Sequence, residues 1–182
     1  MNFKQIFQLL IDFFEREGID YALIGAFALQ AYGYMRATQD VDFIVRKEDQ
    51  KGIIENLESF GFETLYSSPG YSNHVHSLPS FGRIDFVYVK GKTAEEIFMQ
   101  TRKTLILGDI AIPVVRPEHL VALKVFAMKN DPKRALREMA DIKYLLGLAE
   151  IETETAKKYF EKYGQMEKFY DIIGNKGEKQ GS

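Results

Sequence analysis

Arg36-Ala37-Thr38-Gln39-Asp40-Val41-Asp42-Phe43-Ile44-Val45, with Gly25-Ala26 a short way upstream, decides the reading of this chain. Two acids one residue apart open an apolar run that reads as a strand. Successive strand side chains alternate faces, so Asp40 and Asp42 point the same way, with Cα atoms roughly 6.5–7 Å apart. Val41, Phe43 and Val45 point the other way and give the strand a core face. Two carboxylates on one face repel unless a cation stands between them, and oxygen ligands of this kind suit Mg²⁺. Gly25-Ala26 is a turn of small residues whose exposed N–H groups suit phosphate. A phosphate cradle beside metal carboxylates points to nucleotide chemistry.

Working outward, Phe3, Ile6, Phe7, Leu10, Ile11 and Phe14 recur at helical spacing, which predicts an amphipathic helix to about Gly18. A short buried strand, Tyr21 to Ile24, ends at Gly25, and Ala26 to Ala31 reads as helix. After the Asp40–Val45 strand come a helix from Lys47 to Phe60, a strand from Phe62 to Tyr66 and a turn at Ser67–Gly70. Tyr71–Leu78 and Arg83–Val89 read as strands, Thr93–Thr101 as helix, and Thr104–Leu107 with Ile110–Val115 as a hairpin. Past Pro117 the pattern turns helical: 118–129, 132–146, 153–163 and 165–173. The polar, Gly-rich end, 174–182, predicts a disordered tail. The division is therefore an α/β core over 1–116, a helical portion over 117–173, and the tail.

The chain has 182 residues, enough for one domain with a real core. It has no cysteine, which excludes disulfides, thiolate catalysis and cysteine-held zinc. The uncharged, largely apolar stretch Tyr21 to Met35 is too short and too broken to span a membrane. The N-terminus lacks the pattern of a signal peptide, so a cytoplasmic protein is expected. A net charge of −2 argues against a general nucleic-acid binder. Residues 1–89 carry 7 basic and 12 acidic side chains, and residues 90–146 carry 11 and 7.

Outside the opening stretch, Asp85 sits in the middle of the apolar strand Arg83-Ile-Asp-Phe-Val-Tyr-Val. A buried acid needs pairing, hydrogen bonds or a metal; Arg83, on the same strand face, is one candidate partner. Arg36 can bind phosphate bidentately, and the Thr38 hydroxyl can contact phosphate or cap its loop. Lys124 borders the stripe Leu120, Val121, Val125 and Met128, where it can snorkel. Asp141 follows Lys133, Arg134 and Arg137 and can pair with that cluster. His74 and His76 share a strand face without a third ligand of matching spacing, which favours a structural role; His119 carries no signal.

Gly-small followed by Arg-x-Thr-x-Asp-hydrophobic-Asp-hydrophobic resembles the signature of the DNA polymerase β-like nucleotidyltransferases. It is most similar to their small bacterial branch, the AbiEii-type and minimal nucleotidyltransferases, over residues 19–146. The resemblance implies an α/β (α+β) fold in which a mixed sheet is flanked by helices and followed by a helical C-terminal portion. It implies Mg²⁺-dependent transfer of a nucleoside monophosphate from an NTP to a hydroxyl on a tRNA end, a protein or a small molecule. It makes Asp40, Asp42 and Asp85 the catalytic carboxylates, holding two Mg²⁺ (Mn²⁺ as the substitute), with Asp85 as base. It gives Gly25, Ala26, Arg36, Thr38 and Lys124 to the substrate. Ala26 departs from the more usual Gly-Ser or Gly-Gly and leaves only backbone to meet phosphate. A toxin–antitoxin partner is also implied. The rival expectation is a non-catalytic relative serving as an antitoxin or partner-binding protein.

Overall fold

A computed structural model of the chain describes residues 2–174. The tail expected over 174–182 lies, from residue 175 on, outside the described residues. The chain divides into two compact units, Met1–Val115 and Arg116–Ser182.

The first unit begins with helix α1 (Phe3–Glu17), whose first turn is capped by the Asn2 side chain accepting from Gln5 N–H at 3.3 Å. Gly18, at φ 66°, ends it in the left-handed conformation that only glycine adopts cheaply. Then follow β1 (Tyr21–Leu23), α2 (Gly25–Ala31) and β2 (Asp40–Arg46). A 3₁₀ turn over Lys47–Asp49 leads into α3 (Gln50–Ser59). Next come β3 (Phe62–Ser68), β4 (Tyr71–His76), β5 (Arg83–Val89), α4 (Gly91–Met99), β6 (Arg102–Ile106) and β7 (Ile110–Val114). The seven strands form one mixed sheet, in the order β3-β4-β5-β2-β1-β7-β6. β1 is antiparallel to β2, while β2 runs parallel to β5. The mixed sheet with flanking helices agrees with the fold class the sequence implied.

The β2 alternation has the expected result. Val41, Phe43 and Val45 are fully buried, whereas Asp40 and Asp42 are half-buried on the opposite face. Beneath the apolar face lies α1, and the contact is aromatic. Phe43 stands 6.0 Å from Phe7, 5.4 Å from Phe14 and 6.0 Å from Phe86, ring centre to ring centre. The pairs with Phe7 and Phe14 are edge-to-face and the pair with Phe86 is stacked; such aromatic pairs add about 0.5–1.5 kcal/mol each beyond their buried area. At the far end of the strand, the Arg46 guanidinium lies 5.3 Å over the Phe98 ring of α4.

The second unit is helical: α5 (Pro117–Asn130), a 3₁₀ turn over Pro132–Arg134, α6 (Ala135–Leu145), α7 (Thr153–Tyr163) and α8 (Met166–Gly174). Pro117 occupies the first turn of α5, where its missing N–H costs nothing. Its core includes Leu120, Val121, Val125, Ile142, Leu145 and Phe160.

Some boundaries differ from the sequence expectation. β3 runs on to Ser68, because Ser67 and Ser68 still pair with Ser72 and Tyr71, so the turn shrinks to Pro69-Gly70. The helix expected from Thr93 starts at Gly91. The helix expected from Lys47 is 3₁₀ for its first turn, as is the one expected from Pro132.

Candidate active site

The parallel pairing of β2 and β5 places Asp42 opposite Asp85 and Asp40 opposite Arg83. Residues opposite one another share a sheet face, so all three acids stand on the face away from α1, on strands about 4.8 Å apart.

Asp42 is bounded from the other side by Gly25. Ile24 N–H donates to the Asp42 carbonyl at 3.0 Å, and the chain then turns into α2 at Gly25, with φ at +64°. A Cβ at position 25 would lie 2.8 Å from the Asp42 Cβ and closer still to its carboxylate. Only glycine lets the backbone approach this acid so closely. Ala26, the next residue, is buried.

Upstream, Thr38 takes the loop-capping role. Its hydroxyl donates to the Asp40 carbonyl at 3.0 Å and accepts from Asp40 N–H at 3.1 Å. Gln30 of α2 donates to the Arg36 carbonyl at 2.9 Å, and the Arg36 side chain is half-buried. The loop that delivers Asp40 is thus tied at two points.

Asp85 is 8% exposed and held at both oxygens. Arg83 Nε donates to Oδ1 at 2.9 Å and Nη2 to Oδ2 at 3.0 Å, while Tyr71 Oη donates to Oδ2 at 2.8 Å. Burial, then the bond to Asp85, pushes the Tyr71 hydroxyl up to about 12, so it remains a donor. The bond to Asp85 likewise holds the Arg83 guanidinium above its usual range. The ion pair that the sequence left open is therefore formed.

The donor set fits a hard divalent cation in part. Asp40 and Asp42 offer carboxylate oxygens on one face and are only half-buried, which suits a hard cation such as Mg²⁺. Asp85 is in register but turned to Arg83 and Tyr71. Among the described residues no three of His, Cys, Asp and Glu are grouped closely enough to hold one ion. A third carboxylate joins the pair only by exchanging Arg83 for the ion.

Lys124 has other partners. It is 7% exposed, and its Nζ donates to Glu138 Oε2 at 2.9 Å and to Asp141 Oδ2 at 2.5 Å, both acids being buried. Asp141 is paired with Lys124, and the basic cluster before it meets the neighbouring acid. Arg134 from that cluster bonds Glu138 Oε1, at 2.7 Å. Burial alone would raise Glu138, but Lys124 and Arg134 outweigh it and hold the carboxyl below its ordinary value. His74 is fully buried between the hydroxyls of Thr64 and Ser72, at 3.0 and 2.8 Å, and burial lowers its pKa. His76 bonds the Phe60 carbonyl, so both histidines are structural.

Tyr71 is the site residue that sequence reasoning missed. Nothing local marks a strand-opening tyrosine as the partner of an acid on the next strand; the register supplies that link.

A family model described as "Nucleotidyl transferase AbiEii toxin, Type IV TA system" matches residues 8–179. No curated protein matches the sequence significantly. Among solved structures, the antibiotic-resistance factor ANT(2'')-Ia superposes with TM-score 0.67 at 10% identity, over 96% of this chain and 97% of that one. A nucleotidyltransferase-like protein from Paracoccidioides brasiliensis gives 0.57 at 14%, over 93% and 90%. The lincosamide antibiotic adenylyltransferase LnuA gives 0.53 at 16%, over 78% and 94%. At these identities the likeness is one of fold. Among the described residues no helix is long and apolar enough to cross a membrane.

Proposed function

This chain belongs to the nucleotidyl transferase AbiEii toxin family, and from that premise we propose that it moves a nucleoside monophosphate from an NTP to a hydroxyl acceptor. The observation that carries the reading is the in-register placement of Asp42 and Asp85, with Asp40 on the same face and the Gly25 turn against Asp42. In the reaction the acceptor oxygen bonds to the α-phosphorus. The bond from that phosphorus to the bridging oxygen breaks, and pyrophosphate leaves with the electron pair.

Asp40 and Asp42 are the residues that would hold Mg²⁺, which supplies charge neutralisation at the transferring group. Asp85 takes the acceptor proton once Arg83 releases it. Gly25-Ala26 offers backbone N–H groups to the triphosphate, and Arg36 adds positive charge at the edge of the same loop. Lys124 is left to its carboxylates within the helical unit. The lincosamide antibiotic adenylyltransferase LnuA and ANT(2'')-Ia, the latter in complex with adenylyl-2''-tobramycin, share the fold, which supports a hydroxyl acceptor. The family's toxin–antitoxin setting supports a cognate antitoxin as the macromolecular partner.

The test is incubation of the full chain with each α-labelled NTP, Mg²⁺ and cell extract. Label should pass from one or more NTPs to an acceptor species and disappear with Asp42→Asn. Transfer that persists in Asp42→Asn, or none from any NTP, overturns the proposal.

A further inference from the structure

The acid row does not stop at Asp85. Asn73 of β4 pairs opposite Asp85, and Tyr66 of β3 pairs opposite Asn73. Asp42, Asp85, Asn73 and Tyr66 therefore form one transverse row on the same sheet face. Tyr66 would not be there in a regular strand. Thr64 pairs with His74, on the apolar side, and strict alternation would put Tyr66 on that side too. A register shift between Thr64 and Tyr66 inserts Leu65 as an extra residue and turns Tyr66 over. Bulges of this kind re-aim side chains beside active sites. The result is a pair of tyrosines, Tyr66 and Tyr71, with ring centres 6.2 Å apart, and Tyr71 is bonded to Asp85.

Two features of this patch call for a ligand. Tyr66 leaves 56% of its surface exposed. The Asn73 Oδ1 is buried, and no hydrogen-bond donor reaches it, although a buried acceptor ordinarily finds one. The position assigns the patch to one substrate. Gly25, on the far side of Asp42, is the triphosphate end of the row, so the β4–β3 end, beyond the proposed base, is the acceptor end.

We propose that Tyr66 and Asn73 seat the acceptor, and that its reacting hydroxyl is carried on a sugar ring. This rests on the transfer reading above. A sugar ring presents a C–H face to the exposed aromatic ring and hydroxyl or amino donors at its edge to Asn73 Oδ1. The strand spacing puts these two side chains about 5 and about 10 Å from the Asp85 strand, within the reach of one ring. A serine or threonine side chain has a hydroxyl but no such face.

Saturation-transfer NMR on the full chain, without NTP or metal, tests this with three probes. They are a methyl glucosaminide, a short single-stranded RNA with a free 3′ ribose, and a serine peptide. Ring-proton signals of the glycoside, the RNA ribose or both should respond. The responding arm identifies the source of the sugar. Tyr66→Ala should cut the response at least about 5-fold, Tyr66→Phe should retain it, and Asn73→Leu should weaken it. Because the readout needs no transfer, Asp42→Asn should respond like the wild type even though it transfers nothing. A response in wild type with no transfer from any NTP would sink the transfer reading alone. Silence from both sugar probes, an equal response from the peptide, or a full response in folded Tyr66→Ala overturns the acceptor seat.

Discussion

Two clusters of carboxylates can be set side by side, one in each unit. In the helical unit Glu138 and Asp141 close on Lys124, and all three are buried. In the sheet unit Asp40 and Asp42 are half-buried on one face, and Asp85 beside them is ion-paired with Arg83 on its own strand. The ingredients are the same, but their burial is not. Where cation and anions are satisfied within a dry core, the cluster serves the fold, and removing any member leaves a buried charge. Where acids line a partly open face, a cation or a substrate can reach them.

The sharpest way to break this contrast is at the open face. Asp40→Asn or Asp42→Asn should lower transfer at least about 1000-fold, equivalent to about 4 kcal/mol of barrier, with an unchanged melting temperature. A fall in both activity and stability would make the acids structural and erase the difference. The buried cluster should behave in the opposite way. Lys124→Met should cost about 3–5 kcal/mol of stability, the usual penalty for breaking a buried pair. Replacing all three members together, by Lys124→Met, Glu138→Met and Asp141→Leu, should recover much of it in denaturant titrations. If folded Lys124→Met binds NTP at least tenfold more weakly, the lysine serves the triphosphate, as the family resemblance implied, and the two clusters are not opposites.

A smaller effect is expected at Gly25→Ala. The left-handed backbone adds about 1–2 kcal/mol of strain, and the new methyl displaces the Asp42 carboxylate. Transfer should fall further than stability does; equal losses would mean that the turn only packs.

The weakest signal is the pH response. Glu138 is held below its ordinary value of 4.5 in the fold. The stability it contributes is full above that value and is lost as pH falls through the lowered one. Acid melts should show this loss in the wild type and not in Glu138→Gln. An identical acid limb in both would remove Glu138 from the account.

The period-two pattern of β2 was legible because one strand carries both of its faces in sequence. The glycine before α2 was legible for a similar local reason. What the sequence withheld was register. Asp42 and Asp85 are far apart in the chain, and nothing local states that they meet. The Arg83–Asp85 pair could be named only as one option, since an acid in a strand has several ways to be satisfied. The fate of Lys124 had a signal that went unused. Glu138 and Asp141 are three apart on a helix, hence on one face, and a paired-acid face next to a lysine-bearing helix is a ready clamp. The bulge at Leu65 had no signal: neither glycine nor proline marks the segment.

That extra residue has a consequence for how the molecule can change over generations. β3 is the outermost strand, with a neighbour on one side only. A single codon gained or lost around Leu65 would exchange the two sides of the strand end, replacing an aromatic by its neighbour above the row, while Asp40, Asp42 and Asp85 stay in place. Catalysis and selectivity would then drift separately, and small insertions along an edge would be enough to retarget the same chemistry.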